Sequence, residues 1–311
     1  MNKVFCIGEL LIDFINKDIG LGLKAGINFE KKAGGAPANV AVAINKLKGC
    51  SYFLGQVGSD SFGEFLLDIL KEYKVNIDMV KRDGYTTLAF VAIDENGERD
   101  FEFHRGSDGE YEFSNIKLDD ISKNDIIHFG SATGFLDGKL KETYFRLKDF
   151  AVDNNIFISF DPNYRDTLIS EGDKEEFVVD CKKFIKDSNF VKLSDEELVL
   201  ITGEEDIKTG INKLHEIGAK IIAVTLGAKG TMISNGEKIA IVPSIQIDQI
   251  DSTGAGDAFV GGVLLQISKI NGREKVSFEK WLEIICFGNR VGALTCTKYG
   301  AIDAIPQIEE L

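Results

Sequence analysis

Residues 251–262 read Asp-Ser-Thr-Gly-Ala-Gly-Asp-Ala-Phe-Val-Gly-Gly, and they lead into a predicted helix at about 257–270. The small residues let the backbone approach an anion closely. The first turn of a helix adds unpaired N–H groups at the positive end of the helix dipole. The stretch therefore predicts a phosphate or oxyanion site. An acidic residue in a first helical turn is also stabilising by itself, so the motif alone leaves a plain structural role for Asp257 open.

Outward from this motif, short apolar runs alternate with helical patterns. Strands are predicted at Val4–Ile7, Tyr52–Leu54, Ile126–Phe129, Ile156–Phe160, Phe190–Lys192, Ile221–Thr225 and Ile239–Val242. Helices are predicted at about 37–48, 61–74, 138–152, 174–187, 206–217 and 278–297. Strands separated by helices imply right-handed crossovers. We therefore predict one α/β domain over 1–311, with a doubly wound, mainly parallel sheet covered by helices on both faces.

Two stretches interrupt this alternation, and each predicts β-structure outside the parallel sheet. The first, at about 14–33, is rich in glycine and lies between the first strand and the first helix. The second, at about 86–106, alternates apolar and polar residues around Asn96-Gly97, a dipeptide that favours a tight hairpin turn. Together they predict a small projecting β-sheet inserted in the domain.

One face of the predicted hairpin combines arginine and aromatic side chains, because residues two apart on a strand point the same way. Such a face suits a lid that closes over a polar ligand. It equally suits an interface between two copies of the chain, and we expect a homodimer through this sheet. The members of the face are Arg99, Phe101, Phe103 and Arg105.

The bulk composition argues for a folded chain and against polyanionic partners. Hydrophobic residues form 44% of the chain and charged residues 28%, values that leave no room for a long disordered segment. The net charge of −14 would repel nucleic acid and anionic membranes, and no basic cluster overrides it. An anionic substrate such as ATP would need local N–H groups or a bound cation.

The N-terminal sequence and the cysteines favour a cytoplasmic location. The first residues pass into a strand pattern interrupted by Glu9 and Asp13, unlike the continuous apolar region of a signal peptide. No apolar run reaches the roughly 18 residues of a membrane-spanning helix. The five cysteines are scattered, with no C-x-x-C pair and no His at metal spacing, which predicts free thiols in a reducing compartment.

Two common nucleotide-binding motifs are absent from the sequence. The G-x-x-x-x-G-K-[ST] loop and the G-x-G-x-x-G fingerprint are both missing, which argues against P-loop NTPases and nicotinamide dehydrogenases. Asp257 instead follows the predicted anion site. In phosphoryl transfer such a carboxylate accepts the proton of the acceptor hydroxyl while nearby donors hold the transferring group. This possible chemistry favours a functional role for Asp257 over a purely structural one.

Two stretches, GGAPANVA at 34–41 and DSTGAGDAF at 251–259, resemble the signatures of the ribokinase-like, phosphofructokinase-B type carbohydrate kinases. Supporting segments occur at 8–13, 58–63, 161–165, 192–197 and 225–230. Within this family the chain is most similar to bacterial fructokinases, through residues 86–91, 99–105 and 161–165.

The resemblance implies ATP-dependent phosphorylation of D-fructose to fructose 6-phosphate. Relatives that act on 2-keto-3-deoxygluconate, ribose or 5-dehydro-2-deoxygluconate share much of the pattern, so those acceptors stay open. A sugar sensor without turnover is a further alternative, which the intact Asp257 and the unbroken Gly-Ala-Gly sequence oppose.

The resemblance also implies roles for individual residues. Asp257 would be the catalytic base, and the amides of Gly254, Ala255 and Gly256 would form the anion hole. Arg165 has a surface ion pair as its alternative role, and Asp13 a plain position at a strand end. Contacts to the sugar are implied for Asp13, Gly34, Gly35, Asn39, Phe101, Phe103, Arg105, Asn163, Arg165 and Asp257.

On the ATP side, the resemblance implies a magnesium ion reached from Glu197 through water. It also implies a possible K⁺ near Asp251, Thr253 and Gly300. Ser194 follows a strand at a predicted helix start, where a capping role is equally consistent with the sequence. Contacts to ATP are implied for Lys192, Ser194, Thr225, Gly227, Gly230, Gly254, Gly256 and Asn289.

Overall fold

The computed structural model of the chain describes residues 1–93 and 99–311. The strands are β1 Val4–Ile7, β2 Leu11–Asn16, β3 Phe29–Gly34, β4 Ser51–Val57, β5 Asn76–Arg82, β6 Leu88–Ile93, β7 Arg99–His104, β8 Ile126–Phe129, β9 Phe157–Phe160, β10 Phe190–Ser194, β11 Ile221–Thr225, β12 Thr231–Ser234 and β13 Ile239–Val242. The α-helices are α1 Ala36–Lys46, α2 Ser61–Glu72, α3 Lys139–Asp153, α4 Lys174–Asp187, α5 Asp195–Thr202, α6 Ile207–Ile217, α7 Ala255–Ser268 and α8 Phe278–Thr295.

A large sheet forms the centre of the molecule, in the order β13-β12-β11-β10-β9-β8-β1-β4-β5. Every neighbouring pair from β11 to β5 is parallel, and only β12 and β13 join antiparallel at one edge. Parallel strands need crossover connections, and the intervening helices supply them. The predicted doubly wound, mainly parallel sheet is confirmed.

Helices cover both faces of this sheet, because successive strand residues point to opposite sides. Phe5 and Ile7 of β1 pack in one core with the side chains of α3 and α4. Val4 and Cys6 of the same strand pack in a second core with α1, α2, α7 and α8. All four side chains are fully buried, so the continuous apolar run of β1 follows from burial on both faces.

A second, four-stranded sheet stands apart, in the order β3-β2-β6-β7. Its central pair, β2 and β6, is parallel, and the two outer pairs are antiparallel. The predicted small sheet is thus present, but it begins earlier than expected. Gly8, with φ 146°, separates β1 from β2, so Asp13 lies on the small sheet rather than at the end of the first strand. The predicted turn at Asn96-Gly97 and the Arg99 side chain lie outside the described residues.

Most predicted helices begin and end within two residues of their observed bounds, and one, at 174–187, matches both ends. The sequence did not predict β5 or β12. The described residues contain no helix whose length and apolarity would let it cross a lipid bilayer.

Candidate active site

The first turn of α7 carries Asp257 at the edge of the large sheet. Gly254 precedes the helix with φ 74°, and a Cβ there would lie 2.7 Å from the Ala301 Cβ, so conformation and space both require glycine. Within the described chain, the amides of Gly254, Gly256 and Asp257 have no acceptor, whereas Ala255 donates to the Ser252 carbonyl at 3.2 Å. Free N–H groups at a helix N-terminus form a potential anion site.

Asp257 is buried and is held by a side chain from α1. The Asn39 Nδ2 donates to the Asp257 Oδ2 at 2.8 Å. Burial raises the pKa of Asp257 to about 6, despite the opposing effects of the Asn39 hydrogen bond and the Arg165 charge. The Asn39 Oδ1 is buried and has no partner among the described residues. An unpartnered acceptor beside a carboxylate of raised basicity suits a ligand hydroxyl.

Asp13 faces the same space from the small sheet. Burial raises the pKa of Asp13 to about 6, and the charge of Arg165 opposes this rise. A Cβ at Gly34 would lie 2.0 Å from the Asp13 Oδ2. Gly35 has φ 113°, and a Cβ there would lie 2.4 Å from the Glu9 carbonyl oxygen. Gly34 is therefore needed for the backbone to pass beneath this carboxylate, and Gly35 for it to pass close to the Glu9 backbone.

The loop after β9 brings Asn163 and Arg165 to the same edge. Asn163 has φ 46°, and its Nδ2 donates to the Gly130 carbonyl at 2.8 Å. Its amide group thus holds the loop in place, and only its oxygen is left for a ligand. Arg165 is exposed and donates to the Tyr164 carbonyl at 3.0 Å. Its charge partly opposes the rise in pKa that burial causes at Asp13 and at Asp257, so Arg165 lies near both carboxylates.

Lys192 and Asp161 form a buried ion pair beside the anion site, with an N–O distance of 2.9 Å. The Lys192 Nζ lies 3.4 Å from the point where a Cβ of Gly256 would stand. Burial alone would lower the pKa of Lys192, but the charges of Asp161 and Glu197 outweigh it and raise that pKa. Lys192 therefore brings a positive charge next to the free amides, where it can meet a phosphate.

Ser194 and Glu197 form a capping box at the start of α5. The Ser194 Oγ accepts the Glu197 N–H at 3.1 Å, and the Glu197 Oε2 accepts the Ser194 N–H at 2.7 Å. The Glu197 Oε1 accepts the Tyr164 N–H at 2.8 Å. The capping alternative for Ser194 is therefore realised. Each Glu197 oxygen keeps a lone pair, which suits a water of hydrated Mg²⁺ better than direct ligation.

A cavity of about 710 Å³ adjoins the first turns of α7, and Asp13 is not among the residues that line it. This volume is in the range of nucleotide-sized sites. Asn289 borders the cavity, but its amide is engaged elsewhere, accepting from Thr231 Oγ1 at 2.6 Å and donating to the Val242 carbonyl at 2.9 Å. Other predicted ATP residues in the lining are Thr225, Gly227, Gly230 and Gly256.

The three residues predicted near K⁺ lie together, joined by direct hydrogen bonds. The Asp251 Oδ1 accepts the N–H of Thr253 at 2.9 Å and its hydroxyl at 2.7 Å. The Asp251 Oδ2 accepts the Gly300 N–H at 2.8 Å. Burial would raise the pKa of Asp251, but these hydrogen bonds outweigh it and lower that pKa. No group of three or more His, Cys, Asp or Glu side chains in the described chain could hold a metal ion.

The aromatic face of β7 lies on the same side of the small sheet as Asp13. Asp13 pairs with Ala89, and Ala89 pairs with Phe103, and directly paired residues share a face. Phe101 and Phe103 stack with ring centroids 6.3 Å apart. Arg105 donates to Asp108 and to backbone carbonyls of the large domain, so most of its donors are committed within the chain.

Comparison with known proteins identifies the family. A family model for pfkB family carbohydrate kinases matches residues 1–308. The chain belongs to this family. It is 37% identical to the probable fructokinase-6, chloroplastic, of Arabidopsis thaliana, over 98% of this chain and 80% of that protein. The predicted family and the predicted enzyme class, a carbohydrate kinase, are confirmed.

Solved structures of two other kinases are similar to the structure of this chain. The fructokinase of Vibrio cholerae O395, in its fructose, ADP and calcium ion bound form, gives a TM-score of 0.87 at 32% identity, covering 98% of this chain and 96% of that one. The aminoimidazole riboside kinase of Salmonella enterica, complexed with aminoimidazole riboside and an ATP analog, gives 0.86 at 25% identity, covering 99% and 98%.

The sequence reasoning missed three buried acids close to the predicted site, namely Glu9, Asp108 and Asp161. Asp161 had a usable signal, since it begins the loop after β9 that carries Asn163 and Arg165. Glu9 was visible as a charge interrupting an apolar strand pattern. Asp108 had no local signal, because its hydroxyl partners, Thr87 and Thr133, lie 21 and 25 residues away in the sequence.

Proposed function

We propose that this pfkB family kinase is an ATP-dependent fructokinase, which transfers the γ-phosphoryl group of ATP to the 6-hydroxyl of D-fructose. The observation that carries the proposal is the buried Asp257, whose pKa is raised to about 6, beside free amides at the N-terminus of α7. The similarity to the probable fructokinase of Arabidopsis thaliana and to the fructose-bound fructokinase of Vibrio cholerae supports fructose as the acceptor.

In the proposed mechanism, Asp257 takes the proton of the acceptor hydroxyl while Asn39 orients the carboxylate through its hydrogen bond. The free amides of Gly254 and Gly256, together with Lys192, stabilise charge on the transferring group. Mg²⁺, when bound to the nucleotide, would neutralise phosphate charge, and Glu197 would hold one of its waters. Ala255 contributes less than predicted, because its N–H already has an acceptor.

The sugar-binding surface in this proposal is formed by two parts of the chain. Asp13, Gly34 and Gly35 approach from the small sheet and the turn that follows it. Asn163 and Arg165 approach from the loop after β9. Phe101, Phe103 and Arg105 would act through the lid at about 14–33 and 86–106, which we propose is inserted in a single kinase domain.

A panel of acceptors tests the proposal. ADP release should be measured with fructose, ribose, 2-keto-3-deoxygluconate, 5-dehydro-2-deoxygluconate and aminoimidazole riboside, and without acceptor. We expect the highest kcat/KM with fructose, by at least about tenfold, since a site that hydrogen-bonds one acceptor rejects analogues whose hydroxyls leave it unpaired. A higher value with another acceptor would reassign the substrate. If none of the acceptors in the panel supports ATP consumption, the sensor alternative is favoured.

Three further parts of the proposal concern assembly, ions and location. We propose a homodimer through the small sheet, which sedimentation on dilution tests, and a cytoplasmic location, which cell fractionation tests. A K⁺ ion near Asp251, Thr253 and Gly300 would order the anion-hole loop. Identical kcat and KM in sodium, potassium and tetramethylammonium buffers would contradict that ion.

A further inference from the structure

The chain passes at four places between the small sheet and the rest of the domain, which is built on the large sheet. It leaves after β1 and returns before α1, and it leaves again after β5 and returns after β7. The four connections contain Glu9, Gly35, Thr87 and Gly106. Any movement of the small sheet as a lid must act through these connections, because they are its covalent links to the domain.

Glu9, in the first connection, has a carboxylate buried against the second. Its Oε1 accepts the N–H of Ala36, the first residue of α1, at 3.1 Å. Its Oε2 accepts the hydroxyl of Ser131, in the loop after β8. Only 2% of Glu9 is exposed. The carboxylate therefore ties the turn before α1 to the large sheet.

Asp108 plays the corresponding part at the third and fourth connections, because its carboxylate is hydrogen-bonded to residues of both. Its Oδ1 accepts the hydroxyl of Thr87, and that hydroxyl oxygen accepts the Gly106 N–H at 2.9 Å. Its Oδ2 lies 3.4 Å from the Arg105 Nε. Asp108 is 1% exposed. One carboxylate thus ties together both ends of the β6–β7 hairpin.

Thr133, after β8, joins the two acids. Its hydroxyl oxygen lies 2.8 Å from the Asp108 Oδ2 and 3.4 Å from the Glu9 Oε2. One buried network therefore reaches all four connections. A buried carboxylate is expensive unless donors surround it, and burial with the charge of Asp108 raises the pKa of Glu9 to about 7, against opposing hydrogen bonds from Ser131 and Ala36.

We propose that Glu9 and Asp108 are positioning residues for sugar binding, which fix the segment Gly34–Asn39 relative to the lid strands. The inference rests on the proposed function, because it assigns the sugar to that segment. Glu9 holds the N–H of Ala36, and Asn39 follows one helical turn later and donates to Asp257. A displaced α1 start would therefore misplace both the sugar-contacting turn and the amide that orients the base.

The test compares Glu9→Gln with Asp125→Asn, a matched change of a buried acid outside the network. Asp125 is 3% exposed and accepts from Lys3 N–H and from Ser122 at the opposite edge of the sheet. We expect Glu9→Gln to raise the sugar KM at least about tenfold and to leave the ATP KM within about twofold, since one buried acceptor is lost on the sugar side only. Asp125→Asn should leave both KM values unchanged.

A second pair of variants covers the case in which Glu9→Gln does not fold. Thr133→Val removes the bridging hydroxyl at nearly constant volume, and Thr133→Ser restores it. We expect a raised sugar KM in the valine variant and rescue in the serine variant. Sugar KM values within twofold of wild type for the folded network variants, with lowered melting temperatures alone, would overturn the proposal.

Hydrogen exchange separates this inference from the proposed function. In the ligand-free protein, amides of 34–39 should exchange faster in Thr133→Val than in Thr133→Ser or Asp125→Asn. If wild type prefers another sugar, KM is measured with that sugar. If wild type phosphorylates no acceptor, the proposed function fails while exchange still tests the positioning role, and equal exchange in all variants would refute it.

Discussion

The two sides of the α7 N-terminus differ in the chemical groups that line them. On the side of Asp13 and Asp257, charged side chains surround the space, and burial raises the pKa of both carboxylates to about 6. On the other side, glycine turns and apolar side chains dominate the cavity of about 710 Å³, and its buried amide, Asn289, is engaged with neighbouring strands. Side-chain chemistry thus defines the proposed sugar side, and backbone shape the proposed nucleotide side.

The largest expected difference between the two sides comes from removing the base. Asp257→Asn keeps the shape of the side chain and loses the proton acceptor, so kcat should fall by at least about 10²-fold with ATP affinity nearly intact. Steady-state kinetics and nucleotide titration measure the two quantities. Asp248→Asn, an exposed change bordering the nucleotide cavity, is the matched control and should alter kcat little. A kcat above half of wild type in Asp257→Asn would refute the base assignment.

Two glycine substitutions compare backbone tolerance on the two sides. In Gly34→Ala the new Cβ would lie 2.0 Å from the Asp13 Oδ2, so the carboxylate must move and the sugar KM should rise at least about tenfold. In Gly227→Ala nothing lies within 4 Å of the new Cβ. Its φ of 57° costs an alanine only about 1 kcal/mol, so the ATP KM should rise less than about threefold. Equal effects of the two changes would erase the contrast.

The acid limb of the pH profile reports the two sugar-side carboxylates. Each works as an ionised group, so kcat/KM for the sugar should fall as the pH drops through about 6. With both carboxylates contributing, the limb should be steeper than for a single group. Asp13→Asn should reduce the slope of the acid limb to that expected for the titration of one proton. A midpoint near pH 4, the ordinary range for carboxyl groups, would contradict the raised pKa values.

The smallest expected effect comes from the lid. Phe103→Ala should raise the sugar KM a few fold and increase the ratio of ATP hydrolysed to sugar phosphorylated, because an imperfect lid admits water. If this face only joins two copies, the variant should instead dissociate on dilution with its sugar KM unchanged. Product stoichiometry and sedimentation on the same sample distinguish these outcomes. A variant normal in both would leave the face without a role.

The sequence predicted the fold only in part. Apolar runs and helical periods located most of the large sheet, since parallel strands are buried on both faces. The strand β12 has four residues and is followed by a hairpin rather than a helix, so no period marked it.

The site residues were also only partly predictable from the sequence. A polar residue after a buried strand, such as Asn163, could be found because its position is unfavourable without a ligand or partner, and Asp13 was visible as a charge interrupting an apolar strand pattern. The network of Glu9, Thr133 and Asp108 could not, because it depends on which loops meet. The engagement of Asn289 with the Val242 carbonyl was equally hidden, since backbone acceptors have no sequence signature.

The order of the site along the chain has a consequence for its synthesis. The network that links the small sheet to the domain is complete once Thr133 has been made, but the partner of Asn39 lies at Asp257. At roughly 5–20 residues per second, the interval is on the order of ten seconds. Throughout it, α1 lacks α7, which packs so closely that a Cβ on Gly261 would lie 2.5 Å from that of Ala43. The nascent protein thus contains its whole small sheet and the linking network before α7, the helix that carries Asp257, and an apolar helix face stays uncovered in between.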